Sequence, residues 1–341
     1  MANSGQEGSN MAELPNRFGI GLPGTNIRQN MELARYADQK GVDSIWVIET
    51  RLAADAITPL AVYASATDRI RLGTGIIPLW TRNPALIAQT FATLDLLAPG
   101  RVILGLGAWW EPLATRTGVK REKSIRAMRE VIESVRLLLS LKEPVTYHGE
   151  YVHMEDLYLD HGETKPHDVK IYIAAVGPQM LRLAGRIADG VVLNANHTVD
   201  SIRREVEEIK RGAESAGRSL DEIDRVAPMR IEVTRDKKQA LLEAKPRIAQ
   251  YLAQQPHIEG PMEVDPELTE RLKAMIPWPA SEQQIMDGAK LIPDDVVESL
   301  GCYGDEDEVR ARLREYIDAG MNSPTISSAS KDTIDFLARG F

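Results

Sequence analysis

Cysteine is nearly missing from this chain. Cys302 is its one cysteine, so no intrachain disulfide can form, and a reducing compartment, the cytoplasm, is the expectation. Histidine is sparse as well. The six histidines are scattered without HxxxH spacing, and no built-in metal site is expected. No apolar run approaches the roughly 20 residues that cross a bilayer. The opening stretch MANSGQEGSNMAELP lacks the basic start and apolar centre of a signal peptide, and residues 1–16 are expected to form a disordered tail. Positive charge is in deficit, with a formal net charge of -9. Nucleic acid and anionic membrane are therefore excluded as main partners, since both select a basic face, and a small molecule is left. Also missing are a Ser/His/Asp set, adjacent paired carboxylates and a Walker loop.

What the chain does have is size and rhythm. Its 341 residues, 43% of them apolar, can bury a full core without disulfides or metals. From Arg17 onward, short apolar runs alternate with longer helical periods. Eight runs read as strands: RFGIGLPG (17–24), VDSIWVIE (42–49), IRLGTGII (70–77), RVILGLG (101–107), KIYIAA (170–175), DGVVLN (189–194), DRVAPMRIEVT (224–234) and SPTISS (323–328). Most are followed by an amphipathic helix, such as IRQNMELARYADQKG (27–41) with Gly41 as its stop. The strands do not alternate cleanly between apolar and polar, which means burial on both faces, as in a parallel sheet. The expectation is α/β class: one (β/α)8 barrel domain over residues 17–341, with insertions near 142–168 and 236–296. A doubly wound open sheet is the second choice, because no glycine-rich phosphate loop follows the first strand.

In such a barrel the chemistry sits just past the strand ends. Those positions hold Glu49 and Thr50, Gly75 and Ile76, Gly107 to Glu111, Ala175 to Gly177, and Asn194, Asn196 and His197. They are poor in classical catalysts and rich in glycine, small residues and tryptophan. Such a rim suits a flat aromatic cofactor that carries its own chemistry.

Several stretches carry a resemblance: DSIWVIE, LGTGIIPLWTRNPALIAQTFATLDLLAPGRVILGLGAW, REKSIRAMREVIESVRLLL, IYIAAVGPQMLRLAGRIADGVVLN and GDEDEVRARLREYIDAGMN. In order and spacing the chain resembles the luciferase-like flavin and deazaflavin superfamily, a family of TIM barrels. It is most similar to the branch using coenzyme F420, which includes methylenetetrahydromethanopterin reductase and F420-dependent glucose-6-phosphate dehydrogenase. The resemblance implies hydride transfer between C5 of the deazaflavin and a small organic substrate, and a homodimer. It implies a non-prolyl cis peptide at Gly75–Ile76, with Ile76 pressed against the ring; without the resemblance, an ordinary bulge would be expected there. It implies that Ala175, Val176 and Gly177 hold the cofactor phosphate, where the residues alone would suggest a tight turn. Gly107 and Ala108 would let the ring come close.

Two family positions differ. In the sugar-phosphate dehydrogenases a glutamate acts as acid at the position of Trp110, and strand two ends in Asp-His. Here Glu111 follows Trp110, and strand two ends in Glu49-Thr50. Proton transfer is thus left to Glu111, Glu49 or water, and Glu49 is also a candidate for the polar edge of the ring. Trp80, Trp109, Trp110 and His197 are candidate substrate-pocket residues, against core packing for Trp109 and Trp110 and an exposed loop for His197. Arg82 and Asn83 are placed at the pocket mouth and Trp278 in a lid. His148, His153, His161, His167 and His257 read as surface residues, and GDEDEVRARLREY as an N-capped, salt-bridged helix. Two alternatives stay open: an FMN-dependent monooxygenase on the same fold, and a non-catalytic barrel that binds the deazaflavin.

Overall fold

A computed structural model of the chain describes residues 17–255, 262–327 and 329–339. The expected tail and His257 lie outside these residues. Each of the eight apolar runs contains a strand: β1 (Gly19–Leu22), β2 (Ser44–Val47), β3 (Arg71–Thr74), β4 (Val102–Gly107), β5 (Lys170–Ala174), β6 (Gly190–Val192), β7 (Asp224–Val233) and β8 (Ser323–Ile326). The helices that follow them are α1 (Ile27–Gln39), α2 (Ile57–Ala66), α3 (Pro84–Leu97), α4 (Ser124–Leu139), α5 (Pro178–Ile187), α6 (Val199–Ser215), α7 (Glu306–Asp318) and α8 (Lys331–Ala338).

All eight strands run parallel, each beside its sequence neighbours, and β8 pairs with β1 through Gly19 opposite Thr325. The ring is therefore closed, and the open-sheet alternative is overturned. Closure removes the sheet edges that an open arrangement would have to cover.

Two large aromatics fill the barrel interior. Trp46 and Tyr172 lie with ring centroids 5.6 Å apart, joined by Ile103, Val192 and Val226. Glycines stand opposite them: a Cβ at Gly73 would lie 2.6 Å from the Trp46 ring, and one at Gly190 2.5 Å from Tyr172. Below this layer, charged groups seal the N-terminal ends of the strands. Asp224 accepts from Arg17 at 2.8 Å, from Arg71 at 3.1 Å and from the Tyr172 hydroxyl, and Arg71 also pairs with Asp43. With the lower mouth plugged, the C-terminal mouth is left for function.

Local signals set the helix starts. Asn83 caps α3 by accepting from the Ala85 N–H at 2.8 Å, with Pro84 as first helical residue. Asp305 and Glu308 form a capping box on α7, as GDEDEV suggested.

Two further segments interrupt the βα rhythm, in the stretches expected as insertions. The first is an antiparallel hairpin, Val145–His148 with His153–Leu157. The buried carboxylate of Glu130 holds its turn by accepting from the N–H groups of Glu150, Tyr151 and Val152. The second carries helices Lys237–Gln254, Pro266–Met275, Glu282–Ala289 and Asp294–Ser299, which share a core including Ile248, Leu252, Leu272 and Val297. It ends in a strand that was not foreseen, Gly301–Gly304, which pairs with the outer half of β7 from Arg230 to Val233. One of the histidines read as surface residues is placed differently. His167 is no surface residue: its side chain is buried, with Nδ1 2.9 Å from Asp95 and Nε2 3.0 Å from His161.

Candidate active site

Strand β3 stops at Thr74, and the Gly75–Ile76 peptide is cis. The chain then pairs with β4 again through Ile77 and Pro78, opposite Leu106 and Gly107. The spacing of GLG in β4 follows from this bulge. A Cβ at Gly105 would lie 2.0 Å from the Thr74 carbonyl oxygen, and one at Gly107 2.4 Å from Ile76 Cδ1. Thr74 fastens the crossing, since its hydroxyl donates to the Gly105 carbonyl and accepts from its N–H, both at 2.9 Å. Ile76 is thereby held against the interior aromatic layer beside Ala174. Ile76, Gly107 and Ala174 give the mouth an apolar floor.

Glu49 ties this floor to its neighbours. Its N–H donates to the Ile76 carbonyl at 3.3 Å. Its carboxylate forms a two-pronged pair with Arg82, at 2.8 and 2.9 Å, and accepts from the Ala56 N–H at 3.1 Å. Both oxygens are occupied, so the carboxylate acts as a strap between the loops after β2 and β3. Arg82 is thus committed to Glu49, and Asn83 to its helix cap.

At the end of β5, Ala175 is buried and donates to the Val192 carbonyl at 3.2 Å. Gly177 is the N-cap of α5 and faces open space, with Pro178 as first helical residue. The N–H groups of Val176, Gly177 and Gln179 have no acceptor among the described residues. A helix start with free amides is a ready site for an anion.

The loop after β4 holds the tryptophans. Trp109 has a left-handed backbone, φ 64°. Trp110 is 9% exposed, and its Nε1 has no partner. It meets Trp278 of the second insertion edge to face, ring centroids 5.3 Å apart. Trp278 is thereby brought against the loop after β4. Trp80 is half-buried, donates to the Ala108 carbonyl at 3.0 Å and lies edge-on to Tyr151 of the hairpin.

Two expected site residues are placed differently. Glu111 is exposed and accepts from the Thr115 hydroxyl at 2.8 Å and its N–H at 3.2 Å, beside Arg121. The Thr115 hydrogen bonds hold its pKa below the usual value, which is the wrong direction for a proton donor. His197 neither faces the mouth nor sits in an exposed loop. It is 4% exposed, with Nδ1 3.3 Å from Ser201 and 3.2 Å from Glu205, and its carbonyl accepts from the Tyr316 hydroxyl at 2.7 Å. Burial lowers the His197 pKa to about 4 and raises that of Glu205 to about 8. Burial thus favours the neutral form of each group.

One residue at the mouth escaped the sequence reading. Arg51, two places past Glu49, stacks on Trp110 and donates to Gln254 of the second insertion. Position at a strand end was its one signal, and it pointed equally to Thr50.

A closed barrel with an apolar floor at its C-terminal mouth and free amides at a helix start beside it has the form of a cofactor-dependent (β/α)8 protein. More narrowly, residues 11–323 match the family model described as luciferase-like monooxygenase, and the chain belongs to that family. It is 30% identical to 5,10-methylenetetrahydromethanopterin reductase of Methanolobus tindarius over 89% of this chain and 91% of the relative. It is 29% identical to F420-dependent glucose-6-phosphate dehydrogenase of Kineococcus radiotolerans, over 90% and 89%. Among solved structures it resembles the coenzyme F420-dependent tetrahydromethanopterin reductase of Methanopyrus kandleri, with a TM-score of 0.84, 27% identity, and coverage of 96% of this chain and 98% of that one.

Proposed function

We infer that the chain is a coenzyme F420-dependent oxidoreductase acting on a small organic molecule. The observation carrying this reading is the bulge at Gly75–Ile76, which packs Ile76 over the barrel interior with Gly107 against it. The floor so formed is flat and apolar, as one face of a deazaflavin requires. The F420-dependent relatives, similar over about nine-tenths of this chain, support the choice of cofactor. The donor set fits as well, since the free amides of Val176, Gly177 and Gln179 suit the cofactor phosphate.

Bound there, the deazaflavin would accept or deliver a hydride at its C5. The protein's part is positional. Ile76 and Gly107 hold one ring face, with Ala108 beside them. Ala175 to Gly177 fix the phosphate. The Glu49–Arg82 strap keeps the two loops in register under the polar edge. Trp80, Trp109, Trp110 and Trp278 wall the opposite side and exclude water from the transfer path. With Glu49 fully hydrogen-bonded, protons pass to or from solvent, and Glu111 is placed as an exposed, ionised base at the rim. The exposed leucines Leu86, Leu96 and Leu97 of α3 supply apolar surface for the homodimer that the resemblance implies; light scattering measures that mass.

The deciding experiment is a titration of the apoprotein with oxidised F420 and, in parallel, FMN, read by fluorescence and thermal shift. Micromolar or tighter binding of F420 alone is expected. A preference for FMN would overturn the reading in favour of an oxygen-dependent monooxygenase. Tight F420 binding without turnover on any substrate would favour a non-catalytic carrier.

A further inference from the structure

Arg51 is an unusual cation for this protein. Other buried or half-buried arginines spend their donors on carboxylates, as Arg71 does on Asp43 and Asp224 and Arg82 on Glu49, or on backbone carbonyls, as Arg101 and Arg225 do. Arg51 has no carboxylate in reach among the described residues. Its Nη1 donates to the side-chain oxygen of Gln254 at 2.5 Å, and its guanidinium lies 5.1 Å from the centre of the Trp110 ring. Its Nη2 is buried without a partner among the described residues, as is Trp110 Nε1 on the ring beneath it. Two buried donors in one stack, both lacking an acceptor, are costly unless something supplies the acceptor. Burial, with the nearby charge of Arg247, also lowers the Arg51 pKa.

The surroundings hold this group in place deliberately. Arg51 and Leu52 both adopt φ 56°, a left-handed conformation that costs a side-chain-bearing residue and tends to persist at functional loops. Gln254 is buried, and its amide nitrogen donates in turn to the Pro277 carbonyl at 3.1 Å. Next along the chain, Trp278 meets Trp110, receives Arg116 over its ring at 4.6 Å and accepts from Arg116 through its carbonyl at 3.2 Å. The second insertion is thus pinned over the barrel mouth, with Arg51 at the junction.

We propose that Arg51, oriented by Gln254 and backed by Trp110, is the substrate-recognition residue, and that the substrate is a flat organic anion whose carboxylate or like acid group accepts from Arg51 Nη2 and Trp110 Nε1. The idea that this anion is the hydride partner rests on the F420 reading; the anion site itself does not. A guanidinium with one free edge suits an oxyanion, and the perpendicular tryptophans offer flat apolar walls to the body that carries it.

The test uses the full chain, with and without F420, and a matched pair of probes, 2-naphthoate and 2-naphthamide, titrated by tryptophan fluorescence and calorimetry. Naphthoate is expected to bind at least tenfold more tightly than the amide. Arg51→Met should abolish that preference while leaving F420 affinity and melting temperature unchanged, and Arg51→Lys should retain part of it. Trp110→Phe, which keeps the stack and removes the donor, should weaken naphthoate threefold to tenfold. Equal binding of the two probes, no binding of either, or a preference that survives Arg51→Met would each overturn the proposal. A naphthoate preference without any F420 binding would keep the anion site and sink the F420 reading; F420 binding without the preference would do the reverse.

Discussion

Replacing Arg82 by methionine keeps a long side chain and removes both donors from Glu49. The pair has good geometry, at 2.8 and 2.9 Å, and sits between core and surface, with side chains 24% and 18% exposed. Breaking a fully buried pair costs about 3–5 kcal/mol and an exposed one about 0–1 kcal/mol. The intermediate burial argues for about 2 kcal/mol, a drop of roughly 3 °C in melting temperature for a chain of this size. Glu49→Gln should cost somewhat less, because the amide oxygen still accepts from the Ala56 N–H. The double variant is the decisive member. If the two groups act as one strap, it should melt close to Arg82→Met alone, with a coupling of about 1.5 kcal/mol. Differential scanning calorimetry of the four proteins measures this. Because Glu49 also donates to the Ile76 carbonyl, each single variant should weaken F420 binding in parallel. Additive losses, or intact F420 binding in the single variants, would refute the strap.

Gly107→Ala places a methyl group where Ile76 Cδ1 stands; an overpacking cost of about 1–3 kcal/mol and at least tenfold weaker F420 binding are expected, measured by thermal melts and fluorescence titration. Val176→Asp sets a carboxylate among the free amides before α5, and should weaken F420 at least tenfold, about 1.4 kcal/mol, with little change in melting; unchanged affinity would remove these residues from the phosphate site. Burial alone would raise the Asp224 pKa, but hydrogen bonds from Tyr172 and Arg17 and the charges of Arg17 and Arg71 bring it below the usual value. A depressed folded pKa stabilises above the unfolded pKa and is lost as pH falls through the folded one, so the native chain should lose stability below about pH 4. Asp224→Asn should cost about 2–3 kcal/mol at pH 7 and flatten that acid limb in urea melts taken across pH.

The barrel was legible because its strands advertise themselves. A run such as VILGLG is buried along its whole length, and its apolar character survives without any knowledge of its neighbours. Gly301–Gly304 was missed because two glycines, a cysteine and a tyrosine carry no such pattern; partner strand β7 alone makes a strand of them. The site divides in the same way. Gly75, Ile76 and Gly107 could be set at the strand ends from position and resemblance, whereas Asn83, expected at the pocket mouth, is a helix cap. His167 and His197 were misplaced because their partners, Asp95 on α3 and Glu205 on α6, become neighbours only on folding. Arg51 was invisible for the same reason: Gln254, which aims it, lies some two hundred residues further along the chain.

The pairing of β8 with β1 has a consequence for how the protein is made. Gly19 meets Thr325 across nearly the whole chain, so a nascent polypeptide leaving the ribosome cannot close its ring until almost all of it has been synthesised. Until then β1 and β7 present unpaired edges, the kind of surface on which partly folded chains aggregate. Late closure of such non-local contacts is slow. Removing the stretch from Ser323 onward, which carries β8 and α8, would leave the barrel permanently unclosed between β7 and β1.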